Sequence, residues 1–121
     1  MQRQNEADVL WYGAVCVQLS TQRVFVQGQA VHLAPMEYCL LCYLLQHQGQ
    51  ILSRRELFLQ VWGAPAGLKT RTLDAHIHAL RKKLALGGRL ETVFRVGYRL
   101  RLPAEAGAAA PAAAPAGSAK P

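Results

Sequence analysis

Residues 71–84 read RTLDAHIHALRKKL, and the spacing within this stretch decides the fold. Leu73, Ile77, Leu80 and Leu84 recur at four-three-four intervals, which lays one apolar stripe along an α-helix. Thr72, Ala75, His76, Ala79, Lys82 and Lys83 fall on or beside the opposite face, so the core-facing and outward-facing sets do not overlap. The pattern predicts a helix from about Arg71 to Leu86, ended by Gly87 and Gly88. Beyond it, Leu90–Val93 and Tyr98–Leu102 alternate as strands around Phe94, Arg95, Val96 and Gly97. A basic helix is thus followed by a β-hairpin wing.

Upstream, Ser53 and Glu56 have capping-box spacing ahead of Leu57, Phe58, Val61 and Trp62, which starts a second, shorter helix. Gly63, Pro65 and Gly67 interrupt it and open a loop. An earlier helix begins at Pro35 and runs to about Gln46, with Tyr38, Leu41, Leu44 and Leu45 inward, Leu40 near the margin and Gly49 as terminator. Before that, Leu10–Tyr12, the alternating run through Val15, Val17 and Leu19, Arg23–Val26, and Ala30–Leu33 read as strands joined by tight turns. Such a sheet needs a helical layer over its apolar face. The expected class is α+β: a winged helix-turn-helix with an amino-terminal antiparallel four-stranded sheet, three helices and a carboxy-terminal β-hairpin wing. Residues 1–8 are expected to be a flexible terminus and residues 9–102 the folded domain. Residues 103–121, rich in Ala and Pro, are expected to be a disordered tail or linker.

Charge narrows the function. Fourteen Lys and Arg against seven Asp and Glu give +7, and nine of the cations lie between Lys69 and Arg101 with only Asp74 and Glu91 opposing them. That stretch holds the entire excess, a localised field suited to a polyanion. No run approaches the roughly 20 apolar residues of a membrane span, and the opening MQRQNEAD lacks the apolar core of a signal peptide, so a cytoplasmic protein is expected. The carboxylates form no acid/base pair, and no cofactor or enzyme activity is expected.

A helix of this kind fits the major groove of B-DNA. Arg71 at its entrance and Lys82 and Lys83 further along suit phosphates, which position a protein without reading sequence. Thr72 and His76 suit base edges or close phosphate contacts, while Ala75 and Ala79 offer methyl contacts or close approach. Arg95, near the wing tip, has the reach to enter a narrow, electronegative minor groove. Arg99 and Arg101 fall on the strand face opposite the apolar one, where a solvated role is simplest.

The pieces LAPMEYCLLCYLL (33–45), ILSRRELFLQVWG (51–63), RTLDAHIHALRKKL (71–84) and LETVFRVGYRLRL (90–102) resemble, in order and spacing, the OmpR/PhoB-type winged-helix family of response-regulator output domains. The resemblance covers nearly all of residues 9–102 and implies double-stranded DNA as partner, with the helix from Arg71 as recognition helix. It associates Arg71, Thr72, His76 and Lys82 with DNA contact and makes Asp74 a support for the helix or for an arginine. It implies that the loop of Trp62, Gly63, Ala64, Pro65, Ala66, Gly67 and Leu68 can touch RNA polymerase or a neighbouring subunit, and that copies bind head to tail on direct repeats. Two departures stand out. Ala79 replaces a long basic side chain common in relatives, and Phe94 and Arg95 occupy the family's arginine and glycine positions in the wing. Either the turn is remodelled so that Arg95 reaches the groove, which is preferred here, or minor-groove insertion is weakened. The receiver domain with its phosphorylated aspartate has no counterpart in this sequence. An excised output domain, a free-standing protein and the first part of a larger regulator are all compatible with it.

Cys39 and Cys42 share a CxxC spacing without a second ligand pair, so a helix-packing role outweighs metal or redox chemistry. His32, His47, His76 and His78 make no ligand set. A protein-interaction module with little DNA specificity, using the Trp62–Leu68 loop and the wing tip, is the alternative to a DNA-binding regulator.

Overall fold

A computed structural model describes residues 8–64 and 70–103. Residues 1–7 of the expected flexible start, the tail after Pro103, Lys69, and loop residues Pro65, Ala66, Gly67 and Leu68 lie outside the described residues. The chain divides into two compact units, with the boundary between His32 and Leu33.

In the first unit, β1 (Val9–Tyr12), β2 (Val15–Gln18), β3 (Arg23–Val26) and β4 (Gln29–Val31) form an antiparallel sheet in sequential order. Val17 pairs with Leu10 on one side and Val24 on the other, and Val24 pairs with Val31, so the branched side chains fall in one row on one face. Tyr12, Val15, Val17 and Val24 on that face are buried. Two-residue turns join β1 to β2 and β3 to β4, and a four-residue turn joins β2 to β3. Gln27 and Gly28 both have positive φ, the type I′ arrangement whose twist matches that of the flanking strands. The fourth strand lies slightly earlier than the expected Ala30–Leu33, because that turn fixes Gln29 opposite Val26.

The second unit contains α1 (Pro35–Gln46), α2 (Arg54–Trp62) and α3 (Thr70–Lys83), with β5 (Leu52–Ser53), β6 (Leu90–Val93) and β7 (Gly97–Leu100) paired in the order β5-β7-β6. Its core is made of Leu40, Leu41, Leu44, Leu57, Leu73, Ile77, Leu80, Leu84, Leu90 and Leu100, all buried. Leu40, expected at the margin of α1, is fully buried. The two-residue strand β5 is an addition to the expected hairpin. It runs alongside β7, with Leu52 opposite Tyr98 and Ser53 opposite Gly97. Gly97 is required there, since a Cβ would lie 2.0 Å from the Leu52 carbonyl oxygen.

The ends of α1 and α2 are capped by side chains. Glu37 accepts the Ala34 N–H at 2.9 Å at the start of α1, and Ser53 Oγ accepts the Glu56 N–H at 3.0 Å at the start of α2. The reciprocal arm of the expected Ser53/Glu56 box is redirected, because the Glu56 carboxylate instead accepts the Tyr43 hydroxyl at 3.1 Å. At the far end of α3, the chain turns earlier than the expected Gly87. Ala85 adopts φ +53, the Leu86 N–H donates to the Arg81 carbonyl at 3.0 Å, and the Ala85 N–H donates to Lys82 at 3.4 Å. This is a Schellman closure with alanine in the usual glycine position, anchored by the buried Leu86.

Candidate nucleic-acid interface

The outward face of α3 follows from its inward one. With Leu73, Ile77 and Leu80 buried, Arg71, Thr72, Ala75, Lys82 and Lys83 are exposed and His76 and Ala79 are half-buried. Arg71 and Lys82 have no ion-pair or hydrogen-bond partner among the described residues, so both cations are available to an external anion.

Other basic residues of the Lys69–Arg101 stretch are engaged within the protein. Lys83 Nζ lies 2.7 Å from Glu37 Oε1 on α1, which offsets that one cation. Burial pushes the Glu37 carboxyl up, but the Lys83 ammonium and the Ala34 N–H outweigh it and hold the group below the ordinary glutamate range. Arg81 crosses to the wing, where Nε donates to the Leu90 carbonyl at 2.8 Å, Nη2 donates to Thr92 Oγ1 at 2.7 Å, and the guanidinium sits 5.7 Å from the Tyr98 ring centre. Arg99 donates to the Gly49 carbonyl at 3.0 Å and to Glu91 at 3.2 Å. It is a cross-link between the wing and the loop after α1, not the solvated charge expected from strand alternation.

Asp74 is turned inward. It accepts Arg54 Nε at 3.1 Å through one oxygen and pairs with Arg54 Nη2 through the other, while the Tyr98 hydroxyl donates to it at 2.6 Å. Arg54 also donates its backbone N–H to the Val96 carbonyl at 3.2 Å. The start of α2, the amino-terminal half of α3 and strand β7 therefore meet on one carboxylate. Tyr98 is 7% exposed, and its burial, followed by the Asp74 carboxylate, pushes the phenol up to about 12. With its carboxylate committed to Arg54 and Tyr98, Asp74 does not oppose an anion on the outward face.

His76 is braced from two sides. Its ring stands edge-on to Trp62 with centres 5.2 Å apart, and Nδ1 lies 2.7 Å from the Thr72 carbonyl. A carbonyl only accepts, so Nδ1 carries the proton, and in the neutral ring Nε2 is left as an acceptor. Trp62 in turn stacks on Phe58, centres 4.5 Å apart and planes 8° apart. Of the expected partner loop, Trp62 is thereby tied to α2 and α3, while Gly63 and Ala64 are exposed. Gly63 closes α2 with φ +78.

At the wing tip, the Val96 N–H donates to the Val93 carbonyl at 2.9 Å, and Arg95 has φ +64. A positive φ confined to the second central residue is the type II turn, which favours glycine at that place. Arg95 therefore occupies a backbone conformation that favours glycine. Its guanidinium carbon lies 5.2 Å from the centre of the Phe94 ring.

Cys16 and Cys42 are half-buried, Cys39 is exposed, and all are free thiols. Burial pushes Cys16 and Cys42 up, away from the thiolate that redox or metal chemistry needs. Among the described residues, no group of three His, Cys, Asp or Glu side chains is placed to hold a metal ion. Among the described residues, no helix is long and apolar enough to cross a membrane.

The order of elements and the hairpin packed beside α3 define a winged helix-turn-helix domain. Residues 28–100 match the family described as "Transcriptional regulatory protein, C terminal". The chain belongs to that family. It is 38% identical over 96 residues to the response regulator protein PmrA of Pseudomonas aeruginosa, covering 78% of this chain and 42% of that protein. It is 35% identical over 83 residues to the phosphate regulon transcriptional regulatory protein PhoB of Escherichia coli, covering 66% of this chain and 36% of PhoB. The chain spans less than half the length of these curated relatives. Among solved structures, the Klebsiella pneumoniae RstA DNA-binding domain in complex with the RstA box matches with a TM-score of 0.70 and 29% identity, over 78% of this chain and 97% of that one. The DNA-binding domain of CpxR from E. coli matches with the same score, identity and coverage.

Proposed function

We propose that this chain is a sequence-specific double-stranded DNA-binding domain that regulates transcription by placing α3 in the major groove and the wing near the minor groove. The observation that carries this reading is the outward face of α3. It exposes Arg71, Thr72, Ala75 and Lys82, while the one carboxylate of the helix, Asp74, is committed to Arg54 and Tyr98. Arg71 and Lys82 supply phosphate contacts, and Lys83, whose ammonium is shared with Glu37, adds less to them. Thr72 and His76 discriminate bases, Ala75 and Ala79 let the helix approach closely, and Arg95 contacts the groove at the wing. That the similar RstA DNA-binding domain was solved in complex with its box supports the DNA-binding reading.

Two finer elements rest on the family resemblance: contact of the Trp62–Leu68 loop with RNA polymerase, and head-to-tail binding of copies on direct repeats. Selection from a random duplex library, followed by fluorescence-anisotropy titration at fixed salt, tests the proposal. A preferred site above a salt-dependent background is expected. Equal affinity for all duplexes refutes sequence-specific regulation.

A further inference from the structure

The wing tip carries two features that the packing of the domain does not call for. Phe94 is 79% exposed, more than any other large apolar side chain among the described residues. Arg95 beside it holds a left-handed backbone that arginine seldom adopts, and strained residues of this kind concentrate where a surface is used. The Val93–Val96 hydrogen bond and the Val93–Gly97 pair close the turn, so Phe94 projects beyond the end of the ladder. The two bonds from Arg81 to β6 fix the wing against α3, so the tip keeps a set place relative to the helix's outward face.

The chemistry of the tip selects its occupant. Residues 92–98 (TVFRVGY) contain no acidic side chain, and Glu91 just below them is paired with Arg99. A flat apolar ring flanked by a guanidinium suits a surface that is both stacked and negatively charged. The minor groove of a duplex has both properties: bases that an aromatic wedge can part, and an electronegative floor that attracts arginine. An apolar pocket on a protein would accommodate the ring but would have to strip water from the arginine as well.

We propose that Phe94 is a minor-groove wedge that inserts partway between neighbouring base pairs, with Arg95 on the adjoining groove edge, so that the chain unstacks and bends its site. This rests on the DNA-binding reading above, with the wing near the minor groove. Flexible pyrimidine–purine steps are the favoured point of insertion, because they unstack at least cost. Phe94 thereby sets sequence preference through deformability and not through hydrogen bonds.

The test uses the whole chain and a duplex recovered from the random library, with 2-aminopurine replacing adenine at successive positions beside the site. Binding of the wild-type protein should raise 2-aminopurine fluorescence at one step and bend the duplex, as read by end-to-end energy transfer. Phe94→Ala should abolish both signals and weaken binding roughly tenfold, a typical loss for one base–aromatic stack. Phe94→Leu, which keeps an apolar wedge, should retain the bend. Both variants should keep the wild-type circular dichroism and melting curve, since the ring is not part of the core. Wild-type binding with no 2-aminopurine rise, or Phe94→Ala binding with unchanged affinity and bend, overturns the wedge while leaving DNA binding intact. Failure of the wild-type chain to bind any duplex overturns the DNA-binding reading itself.

Discussion

Replacing Asp74 with alanine tests the idea that one carboxylate fastens the helix-turn-helix to the wing. The substitution removes both oxygens that hold Arg54 and the acceptor of the Tyr98 hydroxyl. The Arg54 and Asp74 side chains are 42% and 34% exposed, so the pair lies between a surface ion pair, worth up to about 1 kcal/mol, and a buried one, whose disruption costs about 3–5 kcal/mol. Solvent screening places it near the lower of these, at about 1 kcal/mol. Tyr98 is different because its ring is buried, and loss of a hydrogen bond to a charged acceptor costs about 1.5–3 kcal/mol. Together these give a destabilisation of about 2–3 kcal/mol, the sum being reduced because the groups share one carboxylate. For a domain of this size that lowers the melting temperature by roughly 10–20 °C. Urea unfolding at pH 7 followed by circular dichroism measures the loss, and a double-mutant cycle with Arg54→Ala apportions it. A loss for Asp74→Ala below about 0.5 kcal/mol, within the ordinary range for surface substitutions, would refute the reasoning. The phenol adds a pH signature. Its folded pKa of about 12 lies above the ordinary value near 10, so its contribution is complete below pH 10 and is lost as pH rises towards 12. Tyr98→Phe should remove that part of the alkaline destabilisation.

Three further outcomes follow from the same geometry. Ala85→Gly should stabilise the domain by about 0.5–1 kcal/mol, because relief of the left-handed alanine, about 1–2 kcal/mol, exceeds the extra freedom glycine brings to the unfolded chain, about 0.4–1 kcal/mol; a calorimetric melting temperature no higher than wild type contradicts this. Glu37→Gln should cost about 1–2 kcal/mol at pH 7, where it deprives Lys83 and the Ala34 N–H of a charged acceptor. Because the Glu37 carboxyl is held below its ordinary value, its stabilisation is present above the unfolded pKa and fades as pH falls through the folded one, so urea midpoints of wild type and variant should converge in acid. Arg71→Ala should reduce the slope of log affinity against log salt by about 0.9, one phosphate's worth, whereas Lys83→Ala, losing a cation already shared with Glu37, should reduce it less; equal slopes for the two variants count against this division of the helix face.

What the sequence makes legible here is periodic, and what it hides is contact between distant positions. The stripe through Leu73, Ile77, Leu80 and Leu84 could be read because burying one helix face imposes a fixed spacing, and all of these residues are buried. The outward set, Arg71, Thr72, Ala75 and Lys82, follows from the same period. Strand β5 escaped notice because two residues carry no alternation. Its trace in the sequence was Gly97, which reads as a turn glycine although the Leu52 carbonyl is what forbids a side chain there. The sequence signal for the end of α3 falls later than the helix itself, which stops at Lys83, for a related reason. Glycine is the usual sign of a left-handed closure, and Gly87 and Gly88 drew the boundary past Ala85, where the buried Leu86 holds the turn. The charge field suffered most. Composition counts Lys83, Arg81 and Arg99 equally with Arg71 and Lys82, yet the first three are engaged by Glu37, by the Leu90 carbonyl and Thr92, and by Gly49 and Glu91. Glu37 lies 46 residues from Lys83 and Gly49 lies 50 from Arg99, separations at which no local pattern constrains a partner. The basic stretch is therefore partly a structural brace and partly an exposed surface. Through Arg81 the brace fixes how far the wing stands from α3, and so how Phe94 and Arg95 are placed relative to Arg71 and Lys82 for the DNA contact proposed above.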